Sequence, residues 1–344
     1  MGRKLKYLAE PGLEIVHFDN LRGKTIIIDG NFFLKYALSR YRYLGKVYTN
    51  NEGLPLAHYI FLLKFINFLI KKGIKSIFIF EDKNAAKLSK ENMNRIIETI
   101  KIIEKYKVIE YVDINEINFK NSKDINEDLK LENYFNKHYS KYEKIVENFI
   151  NIVRNCGLCA FFISVDMFRL STKLISEKKA FGIITDDYNC LLFKIPVMLR
   201  KFNLDNDTLQ LLIIDKLLKK YGINFDQFLD INILMGIDYF PDIKIKGFGP
   251  KHALKQIKEH GSIENMIENK YIEDFNYKKI RQFFKTKEKI EIELEFPPID
   301  TYKLEYFFIK NGILENVAED IEEISRTYKS LKSRQMTLDS FIGK

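Results

Sequence analysis

An α/β fold with a mostly parallel central sheet and helices on both faces is predicted by two observations. Short apolar runs recur along the chain, and each is followed by a stretch of helical periodicity. The runs are 25–28 (TIII), 77–80 (IFIF), 160–163 (AFFI) and 182–184 (GII), with 197–202 (VMLRKF) as a further strand. Parallel strands are covered on both faces, so they read as unbroken apolar segments rather than alternating ones.

Residues 34–42, 57–72 and 167–177 carry the helical period. The most apolar stretch, 59–70 (YIFLLKFINFLI), is interrupted by Lys64 and Asn67. It falls short of the roughly 20 residues a membrane span needs, so it reads as a buried helix and no membrane partner is expected. Between regions 1–112 and 145–296, the composition of 113–144 shifts to Asn, Lys, Asp, Glu and Tyr with little periodicity. That composition predicts a polar insertion that orders only conditionally. Residues 228–269 read as a compact helical unit around GFGPKHALKQI, and region 297–344 brings two short helices and a polar tail ending RQMTLDSFIGK.

The 344 residues are 46% hydrophobic and 30% charged, which excludes wholesale disorder. Three cysteines exclude a disulfide framework, and MGRKLKYLAEPGLEIVH contains no apolar stretch of signal-peptide length. A soluble protein of a reducing interior is the expectation. The net charge of +9 leans toward an anionic partner.

Acids follow every apolar run. Asp29 follows TIII, Glu81-Asp82 follow IFIF, Asp166 lies three residues past Ile163, and Asp186-Asp187 follow GIIT. Ligands of open parallel sheets bind at the carboxyl ends of the strands. Carboxylates gathered there repel one another unless cations neutralise them, and such hard oxygen donors suit Mg²⁺ or Mn²⁺. Taken singly, each acid also fits a turn residue or helix N-cap.

Gly247-Phe248-Gly249-Pro250-Lys251 separates the segment ILMGIDYF from an amphipathic helix, HALKQIKEH. Glycines ahead of a helix start let backbone N–H groups approach a phosphate, and Lys251 and Lys255 add contacts independent of base sequence. The third glycine and preceding strand of a dinucleotide-binding turn are missing. Cys156-Gly157-Leu158-Cys159 reads as buried thiols, most of the 28 phenylalanines as core, and His252 as a surface helix residue beside the hairpin. Tyr36 is open to base stacking or to core packing.

In this order the motifs resemble the flap endonucleases, structure-specific 5′ nucleases of the XPG type. KTIIIDGNFF is similar to the family's N-terminal block and GIKSIFIFEDK to the block whose acid follows a strand. TDDYNCLLF and GIDYFPDIKIKGFGPKHA are similar to the internal block and the helix-hairpin-helix, and QMTLDSFI to a sliding-clamp motif. The resemblance implies metal ligands at Asp29, Glu81, Asp166, Asp187 and Asp238. It implies phosphate-polarising groups at Arg95 and Lys87, and DNA contacts at Arg42, Gly247, Gly249, Lys251 and Lys255. It also implies clamp contacts at Gln335, Leu338, Phe341 and Ile342 within 335–342.

The polar insertion takes the place of the family's arch and cap. Two Mg²⁺ ions per site, K⁺ at the hairpin and branched duplex DNA with a 5′ flap are the implied cofactors and substrate. A monomer bound to a sliding clamp is implied, nuclear in a eukaryote and cytoplasmic in an archaeon. The implied activity is hydrolysis of DNA phosphodiesters at 5′-flap junctions, with 5′–3′ exonuclease activity, in lagging-strand maturation and base excision repair.

The chain departs from the family pattern at several positions. E-x-E after the third strand reads Asp166-Met167-Phe168, and D-x-D after the fourth reads Asp187-Tyr188-Asn189. Glu81 stands for Asp and is followed by Asp82 rather than glycine, Leu88 aligns with the usual gateway lysine, and the clamp motif ends Phe341-Ile342. Two ligand charges are absent, which predicts at least one weakened metal site and an alternative reading as a catalytically degenerate protein binding flap DNA and the clamp. Asp186 and Asp82 are the neighbouring carboxylates that would have to compensate. An RNA-cleaving nuclease on a related acidic sheet would leave the glycine hairpin and the tail unexplained.

Overall fold

The computed structural model describes residues 2–39, 42–43, 46–47, 55–86, 90–106, 125–241, 243, 245–286 and 290–342. In chain order, α1 (Gly2–Ala9) leads to β1 (Leu13–His17), β2 (Thr25–Asp29) and α2 (Gly30–Ser39). The short strands β3 (Arg42–Tyr43) and β4 (Lys46–Val47) precede α3 (Ala57–Lys71), β5 (Lys75–Glu81), α4 (Lys83–Ala86) and α5 (Lys90–Tyr106). Then come α6 (Ile125–Asn155), β6 (Cys159–Ile163), α7 (Met167–Ser176), β7 (Gly182–Ile184), β8 (Val197–Asn203) and β9 (Thr208–Ile213). Helices complete the chain: α8 (Ile214–Tyr221), α9 (Phe225–Met235), α10 (Pro250–His260), α11 (Ile263–Glu268), α12 (Tyr277–Lys285), α13 (Thr301–Lys310) and α14 (Ala318–Ile342). The α/β class read from the sequence holds, with mostly parallel long strands.

The chain divides into two compact units. The first comprises Met1–Asp29, Lys87–Glu91 and Val165–Glu293. Its strands run in the order β1-β9-β8-β7-β2. β2 is parallel to β7 and β7 to β8, while β8–β9 and β9–β1 are antiparallel. The antiparallel edge was not read from the sequence. β1 (LEIVH), the edge strand, buries none of its residues fully and holds Ile15 in solvent. Ile26, Ile27, Ile28, Ile183, Ile184 and Leu199 are buried, which is why the inner strands read as apolar runs.

The second unit comprises Gly30–Ala86, Asn92–Ser164 and Leu294–Lys344. Here β5 and β6 pair in parallel, with Glu81 opposite Ile163. Phe33 forms the hub of the core, its ring centroid 4.6 Å from Phe65, 5.7 Å from Phe78 and 5.9 Å from Phe149. The expectation that phenylalanines serve the core is met here. Gly30 is required because a Cβ there would lie 2.7 Å from the Phe80 ring.

The polar stretch read as unpatterned is helical from residue 125, as the first part of the 31-residue α6. Tyr139, Tyr142, Val146, Phe149, Ile150 and Val153 lie buried at steps that keep them on one helical face. Among the described side chains of α6, this stripe includes two tyrosines, which composition alone had grouped with the polar residues. Residues 113–124 lie outside those described. The tail is also helical: α14 runs to Ile342, anchored on α3 by Lys64–Asp320 (3.0 Å) and Lys71–Glu323 (2.6 Å). Among the described residues no helix is long and apolar enough to cross a membrane.

Candidate active site

The first unit carries four of the sequence-predicted acids, Asp29, Asp166, Asp187 and Asp238. Asp29 ends β2 and is 1% exposed; Asp187 follows β7 and is 3% exposed. Register sets Ile28 beside Ile184, so the two acids leave adjacent parallel strands. Thr185 joins them. Its hydroxyl donates to Asp29 Oδ2 at 2.7 Å and accepts from the Asp187 amide at 3.1 Å. Asp187 also caps a 3₁₀ turn, its Oδ1 accepting from the Asn189 amide at 2.9 Å.

Asp166, fully buried, is the N-cap of α7. Its Oδ1 accepts from the amides of Phe168 (2.9 Å) and Arg169 (3.2 Å), and its Oδ2 accepts from the Tyr239 hydroxyl (2.8 Å). Burial pushes this carboxyl up to about 6, against the Tyr239 hydroxyl, the Arg169 charge and the two amides, which favour its ionised form. Asp238, half-buried, directly precedes Tyr239.

The two departures from the family pattern have structural consequences. Phe168 is 1% exposed and its ring lies 5.8 Å from that of Phe193, within a cluster including Tyr239, Phe283 and Phe284. An apolar side chain there is satisfied by packing. Asn189 is buried and uncharged. Asp186 pairs instead with Arg200 of β8, whose Nη2 approaches to 2.9 Å and whose guanidinium also donates to the Tyr188 hydroxyl. In the second unit, Asp82 Oδ1 accepts from the Asn84 (2.7 Å) and Ala85 (3.0 Å) amides, and its Oδ2 accepts from the Ser164 hydroxyl. Both neighbouring carboxylates are thus engaged locally.

Glu81 ends β5 in the second unit and is 2% exposed. Its amide donates to Asn31 Oδ1, which also accepts from the Tyr142 hydroxyl at 3.0 Å. Arg95 lies half-buried on α5. Tyr36 contacts Phe61 at 5.6 Å, in keeping with core packing. Arg42 is on β3, and Gln335, Leu338, Phe341 and Ile342 are on the last turns of α14; the side chains of these five lie outside the described residues, as does Lys87 entirely.

Among the described residues, no group of three or more His, Cys, Asp or Glu side chains is gathered as a metal cage. Mg²⁺ keeps several waters and needs only one or two protein carboxylates beside substrate phosphates. The Asp29–Asp187 pair therefore fits one hard divalent cation. A second is poorly served, since Phe168 offers no donor and Asn189 no charge.

The hairpin of α9 and α10 is built for close approach. α9 ends at Gly236. Gly247 sits at φ +88, a conformation glycine adopts without strain, and open space extends 4 Å around the place a Cβ would take. Gly249 is the N-cap of α10 and Pro250 its first residue, with Lys251 and Lys255 exposed beyond them. His252 bridges the Gly247 carbonyl (3.2 Å) and the Tyr271 hydroxyl (3.1 Å), so it serves the turn itself. Lys4 of α1 donates to the Met235 carbonyl at 2.8 Å, holding the end of α9. Cys156 and Cys159 are buried free thiols, and burial pushes Cys159 up to about 11.

Sequence reasoning missed Thr185, Tyr239, Arg169 and Arg200, each defined by a long-range partner. Only Thr185, placed between a strand and two acids, carried a local hint.

Residues 171–238 match the XPG I-region. Over 363 aligned residues the chain is 26% identical to flap endonuclease 1 of Leishmania major, covering 98% of this chain and 86% of that one. Flap endonuclease-1 from Methanococcus jannaschii superposes with a TM-score of 0.67 at 20% identity, over 92% of this chain and 96% of that one. Human GEN1, solved with Holliday junction DNA, gives a TM-score of 0.67 at 17% identity, over 96% of this chain and 78% of that one. The chain is thus similar over nearly its whole length to flap endonuclease 1 of Leishmania major, and its fold is shared with flap endonuclease-1 and GEN1. That likeness agrees with the resemblance carried by the ordered motifs.

Proposed function

We propose that the chain acts on branched DNA, hydrolysing phosphodiesters at 5′-flap junctions in a Mg²⁺-dependent reaction with associated 5′–3′ exonuclease activity. The observation that carries this reading is the Asp29–Thr185–Asp187 arrangement at the ends of paired parallel strands, in a chain with flap endonuclease relatives. Asp29 and Asp187 would hold the cation, with Glu81, Asp166 and Asp238 as the further ligands the resemblance implies. When bound, the cation supplies Lewis acidity toward the phosphoryl oxygens and toward water. Thr185 fixes the rotamer of Asp29, so the carboxylate is oriented before substrate arrives. Arg95 and Lys87 would neutralise charge on the phosphate in the transition state.

The hairpin would grip duplex phosphates through the backbone around Gly247 and Gly249 and through Lys251 and Lys255, with K⁺ as a bridging ion. Arg42 would add a contact near the junction. The tail 335–342 would dock on a sliding clamp, the chain itself acting as a monomer. Lagging-strand maturation and base excision repair are the corresponding processes, in the nucleus of a eukaryote or the cytoplasm of an archaeon.

A second reading is a flap-DNA and clamp-binding protein without turnover. The burial of Phe168 and the Arg200–Asp186 pair favour it, because neither missing charge is replaced by these neighbours. A 5′-flap duplex incubated with and without Mg²⁺ separates the two: cut product supports the first, tight binding without product the second.

A further inference from the structure

The two groups that hold Asp166 from its own helix and from the Tyr239 segment both rest on one helix, α12. Arg169, the third residue of α7, gives its backbone amide to Asp166 Oδ1. Its guanidinium reaches the other way, donating from Nη1 to the Thr286 carbonyl (2.9 Å) and from Nη2 to the Phe283 carbonyl (2.8 Å). These are carbonyls at the C-terminus of α12, where a cation is favoured by the helix dipole as well as by hydrogen bonding. The same guanidinium lies over the Phe283 ring at 4.4 Å. Tyr239, the donor to Asp166 Oδ2, packs on Phe283 from its own side at 5.3 Å.

Two residues before Phe283 the same helix is locked to the DNA-gripping hairpin. Arg281 pairs with Asp230 of α9 (Nη2 to Oδ1, 2.6 Å) and with Glu264 of α11 (Nη1 to Oε1, 2.6 Å), and Asp230 is 1% exposed. Asp230 Oδ2 in turn accepts from the Ile263 amide that opens α11. One rigid helix therefore carries a tight ion-paired grip on the hairpin helices and, on its last turn, the props of Asp166. A shift of the hairpin on binding phosphates has a continuous, hydrogen-bonded route to one acid of the site.

We propose that Arg169 is a positioning residue that couples DNA binding at the hairpin to the geometry of Asp166. This rests on the DNA-binding reading above and goes beyond it by assigning a route and a residue. Its role differs from that of an ordinary buried arginine, because its two ends serve different elements: the amide orders the carboxylate, and the guanidinium reads the position of α12. Cleavage is not needed to observe it, since the Phe168 and Arg169 amides report on the Asp166 cap directly.

The test is hydrogen exchange by mass spectrometry on the full chain, with and without a 5′-flap duplex, following segments 166–170 and 247–257. In the wild type, DNA slows exchange in both, by about fivefold or more at 166–170, the lower end of ordinary coupling. In Arg169→Met, which keeps an unbranched chain over Phe283 but loses both carbonyl bonds, the DNA effect at 166–170 disappears while that at 247–257 and the DNA affinity remain. Phe283→Leu, a milder change removing the ring shared by Arg169 and Tyr239, gives the same pattern in reduced form and serves if the first variant does not fold. Equal DNA protection of 166–170 in wild type and both variants overturns the coupling. So does an exchange at 166–170 that is faster in Arg169→Met but is still slowed by DNA by the wild-type factor, the result of a merely structural role. If DNA protects neither segment in the wild type, the DNA-binding reading itself fails and the coupling falls with it.

Discussion

Asp166 shows how a residue can be well capped and still electrostatically costly. Three hydrogen bonds hold it, yet burial raises its carboxyl to about 6, above the ordinary 3.8. A raised folded value means that the group's contribution is fully present below pH 3.8 and is lost as pH rises through 6. Asp166→Asn keeps an N-cap side chain and cannot ionise, so it should stabilise the protein at pH 8 by up to about 3 kcal/mol, with the gain gone near pH 4. Urea midpoints at the two pH values measure it; an equal effect at both would contradict the burial argument. His58 has the opposite sense. It is 0% exposed, neither ring nitrogen has a hydrogen-bond partner among the described residues, and burial lowers it from 6.5 to about 3. Stability should fall as pH drops from 6.5 toward 3, by about 1.4 kcal/mol per pH unit from this group. His58→Phe should flatten that limb in acid unfolding curves. The acids at strand ends were legible because turn position and charge are local properties. The partners of Asp166 and Asp186 were not, because Arg169 and Arg200 look like ordinary charges until the fold brings them to α12 carbonyls and to Asp186.

Among the secondary-structure elements, the inner strands and α2, α3 and α7 were legible within a few residues, since each presents its period undisturbed. β1 and β9 escaped notice because neither is an unbroken apolar run: the edge strand β1 (LEIVH) and its inner neighbour β9 (TLQLLI) both mix polar and apolar residues. α6 was obscured because its buried face includes tyrosines set among lysines and asparagines. The hairpin was legible as a glycine turn before a basic helix, and its α9 and α10 form as expected of such a unit. Lys251 is exposed, and Lys255 is held only loosely by Glu259 at 3.6 Å, so both are available to phosphates. Lys251→Ala with Lys255→Ala should weaken flap binding whatever the base sequence, and should reduce the slope of log affinity against log salt by about 2. A salt titration by fluorescence anisotropy checks this; an unchanged slope would remove these lysines from the interface.

For the molecule as a whole, the net charge of +9 combines buried acids with an exposed basic surface. Asp29, Asp166 and Asp187 contribute negative charge where solvent does not reach, while Lys251 and Lys255 face it. The helix that carries QMTLDSFI, the segment proposed to dock on a clamp, is continuous with its anchor on α3. Gln335→Ala with Phe341→Ala should abolish binding to a sliding clamp and leave clamp-free activity as it was; calorimetry against the clamp decides, and unchanged affinity would refute the motif. The proposed activity turns on whether one cation position, built on Asp29 and Asp187, survives the loss of two carboxylates and supports cleavage of flap DNA. Single-turnover cleavage of a 5′-flap duplex in Mg²⁺ answers that, comparing wild type, Asp187→Ala, and Phe168→Glu combined with Asn189→Asp. Slow junction cleavage by the wild type, none by Asp187→Ala, and faster cleavage by the double variant are expected. Tight flap binding with no cleavage by the wild type, restored only in the double variant, would show that a single cation position does not suffice.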